Sequence, residues 1–204
     1  MRVDSATTVL LIIDMVSDFR FEDGAQVARV ALPAARRIRA LRSRAAAGGT
    51  SSIFVNDNLG QWRSDFRQLI ERCRQSNCAG APILGELAPS AEDYYVLKPT
   101  HAGFFGTPLE HLLKGLRART LILTGISAHQ CILFTANEAY LRNYRLIIPR
   151  DCIAAKTPRW RRLALEYFQT VLHADTSPAA RITFWKKGRA RGSSHRSGSA
   201  RTQQ

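Results

Sequence analysis

Thr8–Met15 reads TVLLIIDM. An unbroken apolar run of that length, closed by an acid at Asp14, is the pattern of a strand buried on both faces. Strands of that kind belong to parallel sheets that carry helices on both sides. The rest of the chain is read outward from this segment.

Downstream the pattern alternates. Val27–Ala47 is rich in Ala, Arg and Leu and reads as a long helix, ended by Gly48-Gly49. Ser52–Val55 is a second strand that runs into Asn56-Asp57-Asn58. Asp65–Arg74 is a short helix, and Tyr94–Lys98 a third strand closed by Pro99. Pro108–Gly115 is a helix with Pro in its first turn and Gly at its end. Leu121–Thr124 is a strand, followed by Gly125 and a helix from about His129 to Arg142. Tyr144–Ile148 is a strand, Pro158–Gln169 a helix, and Thr170–His173 a last short strand. Strands separated by helices predict a three-layer α/β fold of the Rossmann-like kind, with about six mostly parallel strands and helices on both faces.

The 204 residues, 45% of them apolar, suit one domain with a full core. The expected domain covers 1–185. Residues 186–204 are expected to be a disordered tail, because Gly188–Gln204 holds four Ser, four Arg, three Gly and no large apolar residue. No apolar run approaches the roughly 20 residues that span a bilayer, and no signal peptide is evident. A cytoplasmic protein without a membrane partner is expected. Cys73, Cys78, Cys131 and Cys152 form no CxxC pair, which fits free thiols in a reducing compartment. From Arg181 onward there are seven Lys/Arg and no acid, half of the formal net charge of +14. That charge permits nonspecific nucleic-acid contact through the tail, and a solvated basic face is the plainer reading.

Ligands of open parallel sheets bind beyond the carboxyl ends of the strands. Asp14 ends the first strand, Asp57 follows the second, Lys98 ends the third, and Cys131 opens the helix after the fourth. One edge thus collects carboxylates, an ammonium and a thiol. A thiol needs a base or a positive field to act as a nucleophile. Asp14 can take its proton, Lys98 can hold Asp14, and the helix start offers free N–H groups. Each residue also has a plain alternative: a buried small hydrophobe, a turn residue, a surface charge.

Three ordered segments carry a resemblance: TVLLIIDMVSDF at Thr8–Phe19, VLKPTHAGFFGTPLEHLL at Val96–Leu113, and LILTGISAHQCILFTANEAY at Leu121–Tyr140. IIPRDC at Ile147–Cys152 also fits. Over roughly residues 6 to 177 the chain resembles the isochorismatase-like cysteine hydrolases. The resemblance implies a catalytic triad of Asp14, Lys98 and Cys131. It implies a cis peptide between Ile126 and Ser127, and an oxyanion hole from the N–H groups of Ser127 and Cys131. The implied function is cleavage of a C–N bond in a small amide, carbamoyl or ureido substrate through a thioester, without a cofactor, in a homo-oligomer (dimer or tetramer). The alternatives are an isochorismatase-type vinyl-ether hydrolase and a basic nucleic-acid-binding protein on the same fold.

The chain departs from its relatives in two places. Nicotinamidases of the family look like metal binders, with Asp and several His near the second strand. Here Val55–Phe66 has Asp57 but no His, so no catalytic metal is expected. Asp57, Trp62 and Arg63 are candidates for the mouth of the pocket. Many relatives follow the lysine with a sequence like Pro-Arg-His-Ser-Ala-Phe, and here it is followed by Pro99-Thr100-His101-Ala102-Gly103-Phe104. His101 is a candidate substrate contact, and Phe19, Phe104 and Phe105 are candidate pocket walls.

Overall fold

The computed structural model describes residues 1–60, 62–63, 65–74 and 77–186. In chain order the elements are β1 (Arg2–Asp4), β2 (Thr8–Ile13), α1 (Gly24–Ala47), β3 (Ser51–Asp57), α2 (Phe66–Arg74), α3 (Ala81–Leu87), β4 (Tyr94–Lys98), α4 (Leu109–Gly115), β5 (Thr120–Gly125), α5 (Cys131–Leu141), β6 (Arg145–Ile147), α6 (Pro158–Thr170) and β7 (Thr183–Trp185). Of the expected tail only Lys186 is described, and the rest lies outside the described residues.

The main sheet has five strands in the order β4-β3-β2-β5-β6, every pair parallel. β2 sits at its centre and is buried at all six positions, as its apolar run requires. Alternate residues of each strand face opposite layers. Leu10, Ile12, Phe54 and Ile122 pack with α1, α2 and α3 in one layer. Leu11, Ile13, Val55 and Leu123 pack with α4, α5 and α6 in the other. Each fully buried Leu, Ile or Phe contributes about 1.5–3 kcal/mol, so these two layers dominate the stability of the fold.

Three expectations differ from the structure. The main sheet has five strands rather than about six, because Thr170–His173 is not a strand. Thr170 ends α6, and His173 turns the chain with φ 50. What lies beside β6 is an isolated bridge between Ile147 and Asp175. The additional strands are β1 and β7, a separate parallel pair that joins the two ends of the domain. Here Val3 is buried, and Arg2 lies over the Trp185 ring at 5.6 Å. Finally, α3 occupies a stretch left without an assignment; Pro82 is in its first turn, and Ile83, Leu84 and Leu87 are its buried face.

Sheet register brings the site together. Ile13 pairs with Val55 on one side and Gly125 on the other, so β2, β3 and β5 end at one level. Asp57 pairs with Lys98 on β4. At Asp14 the chain leaves the sheet with φ 52 while its N–H still donates to Val55 O at 2.9 Å. Gly125 is required on the neighbouring strand, since its φ is 115 and a Cβ there would meet Ile13 O at 2.0 Å. The chain then passes through the cis Ile126–Ser127 peptide and enters α5 at Cys131.

Candidate active site

Asp14, Asp57, Lys98 and Cys131 meet at this edge. The Lys98 side chain is fully buried, with Nζ 3.0 Å from Asp14 Oδ2 and 3.2 Å from Asp57 Oδ2. It also donates to Thr100 O at 3.1 Å and reaches Cys131 Sγ at 3.6 Å. Asp14 Oδ1 accepts the Asp57 N–H at 2.7 Å. The Asp14 carboxylate acts on the Cys131 thiol as well, and its charge favours the protonated form. Each charge therefore has a partner, as burial demands.

The loop after β4 supplies His101, whose Nδ1 is 3.6 Å from Cys131 Sγ. Its ring stacks on Phe134 of α5, centroids 5.7 Å apart. Thr135 pins that loop: its hydroxyl donates to Cys131 O at 2.6 Å and accepts the Gly103 N–H at 2.9 Å. Position 135 thus couples the loop to the first turn of α5.

Burial pushes the Asp14 carboxyl above its ordinary range, against the pull of Lys98. Burial also raises the Cys131 thiol, and the Asp14 charge raises it further, with Lys98 opposing. Burial works against the Lys98 charge, yet Asp14, Cys131 and Asp57 outweigh it and hold its pKa above the usual lysine value. The resting site is therefore a charged ammonium beside a protonated thiol. Asp14, made more basic by burial, is placed to receive the thiol proton.

A cavity of about 400 Å³ opens over these groups. Asp14, Asp57, His101, Ile126, Ser127 and Cys131 line it, together with Ser17, Phe21, Glu22 and Asp23 from the segment before α1. Asn56, His129, Gln130 and Lys156 complete much of the wall. Ser127 Oγ is 3.1 Å from His129 Nδ1, and the His129 ring stacks on Trp160 at 5.0 Å. The Ser127 and Cys131 N–H groups meet no acceptor among the described residues. Asp57 is engaged twice, by Lys98 and by the Leu59 N–H at 2.7 Å. Among the described residues no group of three or more His, Cys, Asp or Glu is arranged to hold a metal ion.

Five expected pocket residues lie elsewhere. Phe19 is 4% exposed and packs in the α1–α3 layer, and its neighbour in ring contact, Phe21, takes the wall position. Phe104 is buried in the α4–α6 layer, with Arg142 over its ring at 4.6 Å and Tyr144 beside it. Trp62 is 77% exposed and does not line the cavity. Phe105 is exposed and Arg63 is also absent from the lining. Conversely, Asn56, Glu22, Asp23, His129 and Lys156 line the cavity without having been singled out. Asn56, one residue from Asp57 at a strand end, was within reach of the strand-end argument. The others carry no local signal.

The model of the isochorismatase domain matches residues 8–177. The chain belongs to the isochorismatase family. It is an enzyme of that family of hydrolases. An uncharacterized isochorismatase family protein of Bacillus subtilis, YaaI, is 34% identical over 180 residues, covering 88% of this chain and 98% of the relative. The ureidoacrylate amidohydrolase RutB of Klebsiella pneumoniae is 30% identical over 118 residues, and the match spans 50% of its length. Among solved structures, N-carbamoylsarcosine amidase from Thermoplasma acidophilum superposes with TM-score 0.65 at 26% identity, covering 86% of this chain and 98% of that one. A cysteine hydrolase from Pseudomonas syringae shares the fold with TM-score 0.71 at 20% identity, covering 87% and 91%. Among the described residues no helix is long and apolar enough to cross a membrane.

Proposed function

We propose that this isochorismatase-family enzyme cleaves the C–N bond of a small amide, carbamoyl or ureido compound, with Cys131 as nucleophile. One observation carries the reading. A thiol, a buried carboxylate and a buried ammonium lie in mutual contact at the floor of a cavity of about 400 Å³, the size of a small-molecule site.

In the proposed reaction the Cys131 proton passes to Asp14 while Sγ attacks the substrate carbonyl carbon. The tetrahedral oxyanion is held by the Ser127 and Cys131 N–H groups, which meet no other acceptor among the described residues. Asp14 returns the proton to the leaving nitrogen, and the C–N bond breaks to leave a thioester on Cys131. Water then attacks the thioester carbonyl, releasing the acid and restoring the thiol. Lys98 stays charged throughout and holds Asp14 in place. The 26% identical N-carbamoylsarcosine amidase and the partial likeness to ureidoacrylate amidohydrolase support a carbonyl flanked by nitrogen as the target.

The test is rapid-quench mass spectrometry during turnover of a panel of small primary amides and ureido compounds. An acyl adduct on Cys131 that forms and decays with product release is expected. Turnover with no adduct, or an adduct on another cysteine, would sink the mechanism.

The proposal includes assembly and compartment. Phe134, Tyr140 and Leu141 of α5 and Trp160 and Leu163 of α6 are exposed, which suits a contact between copies of the chain in a homo-oligomer. Light scattering on a size-exclusion column reads the state directly. Four free cysteines suit the cytoplasm.

A further inference from the structure

The chain as a whole is strongly basic, with a formal net charge of +14, yet its cavity is acidic. Four carboxylates line it: Asp14, Glu22, Asp23 and Asp57. Lys156 is the one ammonium among the lining residues, and it is paired with Asp23. Lys98 lies beneath, held by Asp14 and Asp57. Among the described residues no arginine lines the cavity. Glu22 is exposed and meets no ionic or hydrogen-bonding partner among the described residues.

A second observation points the same way. Asn56 is 1% exposed and lines the cavity. Its Nδ2 donates to Val16 O at 2.7 Å, which fixes the orientation of the amide. Its Oδ1 is buried and has no hydrogen-bond partner among the described residues. A buried acceptor left unpaired is costly unless a ligand supplies the donor.

We infer that the cavity selects a small amide or ureido compound whose far end is an ammonium or a comparable donor-rich cation, and discriminates against substrates that carry a carboxylate. Glu22 is the specificity-determining residue, and Asn56 Oδ1 accepts an N–H of the substrate. The inference rests on the amidohydrolase reading of the same site. A carboxylate entering here finds every cation already paired and an unpaired glutamate in the wall. An ammonium finds that glutamate free. An unpaired charge at the cavity wall raises the local concentration of a ligand of opposite sign, less so as salt is added, so one free carboxylate can decide the order of substrates.

The test uses matched amides that differ only at the far end: 4-aminobutanamide, pentanamide and glutaramate. Two quantities are measured at low salt: ammonia release, and protection of Cys131 from iodoacetamide mapped by mass spectrometry. The cation is expected first, the neutral amide second and the anion last, in both. Glu22→Gln is expected to reduce the preference for cation over neutral by about tenfold, the effect of losing one partly screened ion pair. Glu22→Lys should place glutaramate ahead of 4-aminobutanamide. Protection by glutaramate equal to or better than that by pentanamide overturns the inference, as does a preference that Glu22→Gln leaves unchanged. Absence of protection by all of them also overturns it. Ammonia release without charge order would leave the hydrolase reading standing and remove this one. Charge-ordered protection without ammonia release would do the reverse.

Discussion

Cys73, Cys78 and Cys152 lie in the layer packed with α1, α2 and α3, and Cys131 lies in the layer on the opposite side of the sheet. All four are free and buried. Burial raises the thiols of Cys73, Cys131 and Cys152 alike. What differs is the company. Cys131 touches Lys98 and His101, each at 3.6 Å, and feels the charge of Asp14. Cys78 lies against the backbone oxygens of Ser17 and Asp18, at 4.0 and 3.8 Å, and beside Cys73, with no carboxylate or ammonium bonded to it among the described residues. Burial alone makes a thiol quiet. A proton acceptor and a fixed cation beside it make it usable, and the strand ends supply both on one side of the sheet.

The comparison breaks most visibly at Cys131, the proposed nucleophile. Cys131→Ala should lower turnover by about a thousandfold or more, since removing a nucleophile forfeits the covalent route. Cys152→Ala should leave turnover within about twofold while costing a kcal/mol or so of stability, roughly the cost of one core truncation. Steady-state kinetics on both, with circular dichroism to establish folding, checks the pair. Equal losses in the two variants would end the contrast.

Lys98→Met sharpens the same contrast from the electrostatic side. It leaves Asp14 and Asp57 without their shared counter-ion beneath the cavity. Breaking a buried pair from one side costs about 3–5 kcal/mol, and the partial exposure of Asp57 places the expected loss near the lower end. Urea unfolding reads it. Adding Asp14→Asn should restore part of that stability but not turnover, because the neutral amide needs no counter-ion and takes no proton.

The strand ends were legible in the sequence for the reason that they are chemical. A run such as TVLLIID can only be a doubly buried parallel strand, and parallel strands put their carboxyl ends at one edge. Asp14, Asp57, Lys98 and Cys131 follow from that placement. The cavity wall was not legible. Whether Phe19 or Phe21 faces the ligand depends on backbone turns at Asp14, Phe19 and Asp23, all with positive φ, and no periodicity encodes them. Lys156 reaches the wall by pairing with Asp23, 133 residues away in the chain. β1 and β7 are three residues each, paired across nearly the whole sequence, too short for an alternation pattern to register.

His101 offers a finer distinction. Its Nδ1 lies 3.6 Å from the Cys131 thiol. If Asp14 is the proton acceptor, His101→Asn should cost less than the roughly 10²-fold that a proton-transferring group is worth. The pH profile of kcat/KM should keep its shape. A larger loss, with disappearance of a limb of that profile, would move the base from Asp14 to His101.

The smallest effect tests the quiet layer. The Cys73 thiol is pushed up to about 12 from an ordinary value of 9.0, by burial first and the neighbouring Cys78 second. The folded state therefore holds this proton more tightly than the unfolded state does. Below pH 9 the thiol is protonated in both, and its contribution is fully present. As pH climbs from about 9 towards 12, the unfolded chain ionises while the folded one resists, and that contribution is lost. Urea midpoints should fall across this window, and Cys73→Ala should make the fall shallower. Cys152 is also raised by burial, so Cys152→Ala should flatten the curve further, and Lys98 adds to the fall as pH passes the ordinary lysine value. An alkaline slope unchanged by either alanine variant would mean that these thiols ionise in the fold as readily as in water, and the distinction between the two layers would then rest on Cys131 alone.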